Sequence, residues 1–196
     1  MANGNGTAPR ATETAERRRR LVHAAVELAQ QGGYEAVQMR DVANRADVAL
    51  ATLYRQYPSK DQLLLAALAD QTAALRDILA KRPSAGDTPL RRVVGVLERA
   101  TNALTREPRL AGAMVTALGS PEPDAAAIKQ EILEVLRGIL GDAGGLTDTA
   151  DADAALRTLG YVWFAALGAW SSGMIDDEQM LVDLSEAARL LLAGTP

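Results

Sequence analysis

QMRDVANRADVALATLYRQYPSKDQL, residues 38–63, is an unusual mixture. Thr52, Tyr54, Arg55, Tyr57 and Lys60 stand among many alanines. A core helix would carry larger aliphatic side chains, and a solvated helix would carry more charge. The periodicity resolves the stretch into two short helices, at about 38–46 and 49–56, joined by a turn at Asp47-Val48. That is the spacing of a helix-turn-helix. At 100° per residue, Ala49, Leu53 and Tyr57 share the side that faces the preceding helices. Ala51 and Arg55 point away, flanked by Thr52 and Tyr54. This outward face is small at its N-terminal end and hydrogen-bonding at its C-terminal end, a shape suited to the major groove of DNA. Small side chains let a helix approach closely, and alanine and threonine methyls can meet thymine methyls. The Thr52 and Tyr54 hydroxyls suit phosphate oxygens, and Arg55 reaches phosphate or guanine. Lys60 falls in the first turn of the next helix, where free backbone N–H groups also attract phosphate. Arg40, on the preceding helix, completes the expected set of DNA contacts.

Outward from this stretch the pattern stays helical. Ser59 and Gln62 form an S-x-x-Q capping box that opens a long helix at about 59–81. Upstream, Leu21, Ala25 and Leu28 recur at i, i+4 and i+7 on a helix that begins near Glu16 and ends at Gly32-Gly33. Residues 1–15 have little to bury and are expected to be a disordered tail. Downstream, Thr88-Pro89 starts a helix by the N-cap and N1 rule. Breaks at 107–108, 119–123, 141–145 and 171–176 then delimit helices at about 89–106, 108–118, 123–141, 150–172 and 177–193. No run alternates as a strand would. The expected fold class is all-α with about nine helices: a small N-terminal helix-turn-helix unit over 16–60 and a larger helical unit over 61–196.

The chain has 196 residues, no cysteine and a net charge of −4. Residues 1–60 carry a balance of +3 and the remainder −7, so a polyanion partner is expected at one end only. Without cysteine there is no disulfide, thiolate metal site or cysteine nucleophile. The N-terminus lacks the apolar core of a signal peptide, and no apolar run is long enough to span a membrane; a cytoplasmic protein is expected. His23, the one histidine, sits among apolar neighbours and is assigned a structural role, since it builds neither a metal site nor a triad. No catalytic residue, metal site or cofactor is expected. Arg17–Arg20 are either a solvated helix start or a contact to phosphate or the minor groove.

GGYEAVQMRDVANRADVALATLYRQYPSKDQLL, residues 32–64, resembles the DNA-binding signature of TetR-family transcriptional regulators. The resemblance rests on Gly33-Tyr34, Asp41-Val42-Ala43, Thr52-Leu53-Tyr54 and Tyr57-Pro58-Ser59-Lys60, in that order and spacing. It covers about residues 17–68. Three departures bear on the operator sequence: Asp47-Val48-Ala49 where Gly-Val-Ser is common, Gln38 for a threonine, and Ala51 for the glycine before Thr-Leu-Tyr. Within the family, this segment and the tryptophan-bearing GYVWFAALGAW (160–170) are similar to actinobacterial repressors of cholesterol catabolism. The resemblance implies a homodimer on a pseudo-palindromic double-stranded DNA operator. It also implies that the last two helices bundle with a partner chain, while helices 4 to 8 enclose a ligand pocket.

Several residues are candidates for those roles. Leu181, Leu184, Ala188 and Leu191 make a stripe suited to a helix–helix seam. Leu97, Met114, Leu118, Trp163, Leu167 and Trp170 are the expected lining of the pocket, with Val94 and Val115 beside them; the tryptophan run is equally compatible with core or seam. Few polar groups stand ready for burial in residues 61–196, so a hydrophobic small-molecule effector, steroid or acyl chain, is expected. If it carries coenzyme A, Arg106 and Arg109 would meet the phosphates. The expected function is a transcriptional regulator, most simply a repressor released by that effector. The alternatives are an activator, a ligand-independent DNA-binding dimer, and an enzyme using the C-terminal cavity. The last lacks a nucleophile–base pair, a metal constellation and a nucleotide loop.

Overall fold

The structure, a computed structural model, describes residues 7–146 and 149–193. Among the described residues it holds nine α-helices and no strand: α1 Thr7–Ala36, α2 Met39–Arg45, α3 Leu50–Gln56, α4 Lys60–Lys81, α5 Pro89–Thr105, α6 Pro108–Gly119, α7 Ala126–Gly144, α8 Ala150–Ser171 and α9 Asp177–Leu192. A 3₁₀ turn at Pro123–Ala125 leads into α7. The all-α class and the helix-turn-helix order are as the periodicity required.

The helix boundaries follow side-chain chemistry. Ser59 Oγ accepts from the Gln62 N–H at 3.2 Å and starts α4, and Thr88 Oγ1 accepts from the Arg91 N–H at 3.2 Å and starts α5. Gly32 and Gly33 leave helical geometry, Gly33 with φ of +70°, and so end the straight part of α1. In the turn between α2 and α3, Asp47 takes a φ of +52°. An aspartate tolerates that left-handed conformation better than most side chains. Ala49 gives α3 no side-chain cap.

One expected boundary is corrected. Residues 7–15 are helical rather than a disordered tail; residues 1–6 lie outside the described residues. The reason is local. Glu13 pairs with Arg17 at 2.8 Å and Glu16 with Arg19 at 2.6 Å along the helix, and such i,i+4 and i,i+3 pairs support α1 near its start. His23 is also corrected: its side chain is 71% exposed beside Glu27, on the surface and not among the core residues.

Two apolar cores result. The first joins α1, α2, α3 and the N-terminal half of α4 to α6 and the start of α7, through residues such as Leu21, Val42, Leu53, Leu64, Met114 and Ile132. The second joins α5, the end of α7, α8 and α9 around Val96, Leu97, Leu140, Leu159, Trp163 and Leu184. The reading head is therefore not packed as a separate unit closed at residue 60. Leu53, 0% exposed, carries the anchoring of α3. Leu53→Ala should lower unfolding stability by about 2–5 kcal/mol, read as a shift of the urea midpoint at unchanged slope. A midpoint within a few tenths of the parent's would mean α3 is held by something other than this side chain.

Candidate nucleic-acid interface and ligand pocket

The helix-turn-helix presents the expected face. Ala51, Tyr54 and Arg55 of α3 are exposed, Tyr54 at 48%. Thr52 is half-buried and accepts a long 3.4 Å hydrogen bond from Arg55. Leu53 and Tyr57 point inward and are buried, while Ala49, expected on that inner side, is exposed at the helix start. Arg40 is exposed on α2. The six expected contacts therefore fall on accessible or half-buried positions of α2, α3 and the first turn of α4.

Lys60 is more occupied than the sequence suggested. Its ammonium lies 3.7 Å from the centre of the Tyr34 ring, donates to the Tyr34 carbonyl at 3.3 Å, and pairs with Glu35 at 3.8 Å. Tyr34 in turn donates its hydroxyl to Asp61 Oδ1 at 2.5 Å. Burial, followed by that bond and the Asp61 charge, pushes the Tyr34 phenol well above the ordinary tyrosine range. It stays a neutral donor at physiological pH. These contacts fix the end of α1 against the start of α4.

The head is tied to the rest of the chain at three further points, none of them visible in local sequence. Arg18 forks onto Asp70 of α4 at 2.7 and 3.1 Å and lies beside Tyr57, whose phenol burial pushes up against the pull of the guanidinium. Ser59 Oγ donates to Glu122 at 2.5 Å, joining the start of α4 to the α6–α7 connection. Arg109 of α6 donates to the Gln31 carbonyl at 2.6 Å. Of Arg17–Arg20, the first three are ion-paired with Glu13, Asp70 and Glu16; Arg18 is thus a tie within the fold rather than a free cation.

An apolar cavity of about 110 Å³ lies where the two cores meet, bounded by α4, α5, α6, α7 and α8. Leu118, Trp163 and Leu167 line it, as expected. Leu97 and Met114 do not: each is 1% exposed and packed inside a core. Trp170 also lies off the cavity, with its indole N–H donating to Asp177 at the start of α9. Phe164, in the same apolar run of α8, lines the cavity too, whereas the periodicity missed Leu68, Gln71, Thr72 and Leu75 on one face of α4. Trp163 donates from its indole to Thr101 at 3.1 Å, which fixes the ring in the wall. Val94 faces a separate groove between α5 and α9.

Two of the four residues expected at the seam are corrected as well. Leu184 and Ala188 are 1% and 0% exposed within the single chain, because α9 packs that stripe against its own α5 and α8. Leu191 is partly buried against the same core, and Leu181 is half-buried. The apolar side chains that α8 and α9 leave open are Tyr161 at 56%, Val182 at 56% and Leu190 at 62%. Arg106 is exposed at the end of α5, and Arg109 is spent on Gln31. Among the described residues no cluster of His, Cys, Asp and Glu could hold a metal ion, and no helix is long and apolar enough to cross a membrane.

Residues 21–67 match the family of bacterial regulatory proteins of the tetR type, and residues 86–191 match the tetracyclin repressor-like C-terminal domain. The chain is 41% identical over 158 residues to the HTH-type transcriptional repressor KstR of Rhodococcus jostii, covering 79% of this chain and 73% of that protein. A TetR transcriptional regulator from Rhodococcus sp. RHA1 superposes with a TM-score of 0.87 at 33% identity, over 93% of this chain and 98% of the other. Thermus thermophilus FadR, a TetR-family transcriptional repressor in complex with lauroyl-CoA, superposes with a TM-score of 0.73 at 25% identity, over 90% and 94% of the two chains.

Proposed function

This chain belongs to the TetR family of bacterial regulatory proteins, and on that premise we propose that it is a repressor released from its operator by a large hydrophobic effector of steroid or acyl-CoA type. It acts in the cytoplasm as a homodimer on a pseudo-palindrome. The observation that carries the ligand is the cavity, walled by leucines, alanines and aromatic rings. Its repressor relatives, and the lauroyl-CoA in one similar structure, support the same reading.

The mechanism is differential affinity. The cavity's 110 Å³ is well below the roughly 300–1,000 Å³ of ordinary ligand sites, so an effector of this size enters only by moving the walls. Leu68, Gln71, Thr72 and Leu75 place α4 in that wall, and the first turn of the same helix holds the reading head through Lys60 and Asp61, both bound to Tyr34 at the end of α1. Two heads enter successive major grooves only when roughly 34–36 Å apart. A ligand that prefers another spacing weakens DNA binding by its coupling energy, about 1–3 kcal/mol. An apolar cavity in the regulatory half also favours a ligand-responsive protein over a purely architectural dimer.

The test is a titration of operator-bound protein with a steroid acid-CoA thioester, a fatty acyl-CoA and the free steroid. Release should come with quenching of Trp163 fluorescence. Release by none of these, with a sugar or amino acid effective instead, overturns the reading. On the DNA side, Tyr54→Phe should weaken binding to all sequences alike and leave the salt slope unchanged. Lys60→Ala should flatten that slope by about one unit. Parental affinity in both variants would mean that α3 and the α4 start do not dock as proposed.

A further inference from the structure

A second hollow, of about 300 Å³, opens to solvent between α7 and α8. It is distinct from the apolar cavity, yet Leu133, Leu136, Gly160 and Trp163 line both. The two hollows are thus opposite sides of one thin wall. At the wall's centre stands Gly160, in the interior of a 22-residue helix, where glycine is disfavoured. Packing does not call for it, because a β-carbon there would meet nothing within 4 Å. With no side chain at this position, the surface shared by the cleft and the cavity is left uncovered there.

The outer rim is charged. Arg137 of α7 and Arg157 of α8 both bind Asp153, Arg157 at 2.8 Å, and all three side chains are between about a third and a half exposed. Two guanidinium groups on different helices therefore converge on a single carboxylate. Glu134 and Gln130 complete the rim. Asp153 and Glu134 balance the two arginines, so the cleft draws no anion from a distance. Recognition would come at short range, by exchange. Asp153 gives each guanidinium group a single oxygen, Oδ1 to Arg137 and Oδ2 to Arg157, whereas a diphosphate offers each of them two, and arginines are suited to such planar, bidentate contacts.

We propose that Arg137 and Arg157 hold the phosphate-bearing head group of the effector in the α7–α8 cleft, while its apolar tail passes Gly160 into the cavity. The proposal rests on the functional reading above and replaces Arg106 and Arg109 as the phosphate contacts. It requires Asp153 to be a competitor that the head group displaces.

The experiment measures operator release and Trp163 fluorescence with lauroyl-CoA and a steroid acid-CoA thioester, each beside its free acid. Operator binding and far-UV circular dichroism check each variant's fold. The parent should bind a thioester more tightly than the matching acid. Arg137→Gln/Arg157→Gln should lose at least about tenfold for the thioester and nothing for the acid. Asp153→Asn, with the competitor's charge gone, should bind the thioester several-fold more tightly, whereas a purely structural Asp153 would give unchanged or weaker binding. Gly160→Leu should lose both thioester and acid while keeping the operator. A double variant with parental thioester affinity, or a parent that prefers the acid, overturns the head-group assignment and leaves the functional reading standing. A parent blind to thioesters and acids alike overturns both. Should the double variant fail to fold, Asp153→Asn decides alone: no gain in thioester affinity overturns the proposal.

Discussion

An Ala51→Glu variant is expected to fold with the parent's stability and to bind the operator about a hundredfold or more weakly, since like charges set face to face cost several kcal/mol. Ala51 is exposed and touches no core, so the substitution leaves the packing of Leu53 and Tyr57 alone. On DNA the same position would face the groove floor between two phosphate backbones. A carboxylate there is repelled by the phosphates and holds a longer side chain where a methyl is needed. Effector binding should stay at the parental value, because the cavity lies on the other side of the first core. Retained operator affinity would mean that α3 does not enter the groove by this face.

The second large effect is on assembly. Val182→Glu/Leu190→Glu is expected to give a helical monomer without specific operator binding. Both side chains are more than half exposed on α9 and would be covered by a partner chain. Two carboxylates buried at such a seam without partners cost several kcal/mol, enough to separate the chains at micromolar concentration. A monomer engages one half-site and loses the second head's contribution. Leu184→Glu should behave differently. It places a charge inside the chain's own core and should unfold the protein rather than divide the dimer. Sedimentation together with circular dichroism distinguishes the two outcomes. A double variant that sediments as the parent does removes the exposed α9 face from the interface.

The contrast between Leu184 and Val182 shows where sequence reading stops. Periodicity identifies which side of α9 is apolar. Whether that side meets α5 and α8 of the same chain or another copy depends on how the helices pack, and one helix's pattern carries no trace of that. The cavity was half legible for a related reason. Leu118, Trp163 and Leu167 sit in conspicuously apolar runs, but Leu68 to Leu75 of α4 become wall only because α5 and α8 arrive opposite them. Leu97 and Met114 are as apolar as the true lining and simply face the cores. The reading head was the most legible part, since α2, α3 and their turn are contiguous and their inner and outer faces follow from angle alone. Its moorings were not: Arg18 reaches 52 residues ahead to Asp70, and Arg109 reaches 78 residues back to Gln31. Residues 7–15 read as a tail because their composition resembles a linker, and composition does not reveal that Glu13 pairs with Arg17 along the helix.

The cavity's position between two cores has an evolutionary consequence. Leu68, Leu118 and Ile132 belong to the core that holds the reading head, whereas Ala100, Leu104, Trp163 and Leu167 belong to the other. Substitutions in the second set can reshape the space for a new effector without disturbing any side chain that supports α3. A lineage of such proteins could therefore exchange its chemical signal while keeping its operator, and change operator through α3 while keeping its signal. The two kinds of drift meet along the wall formed by α4, α6 and residues 132–136 of α7, where a substitution alters both at once.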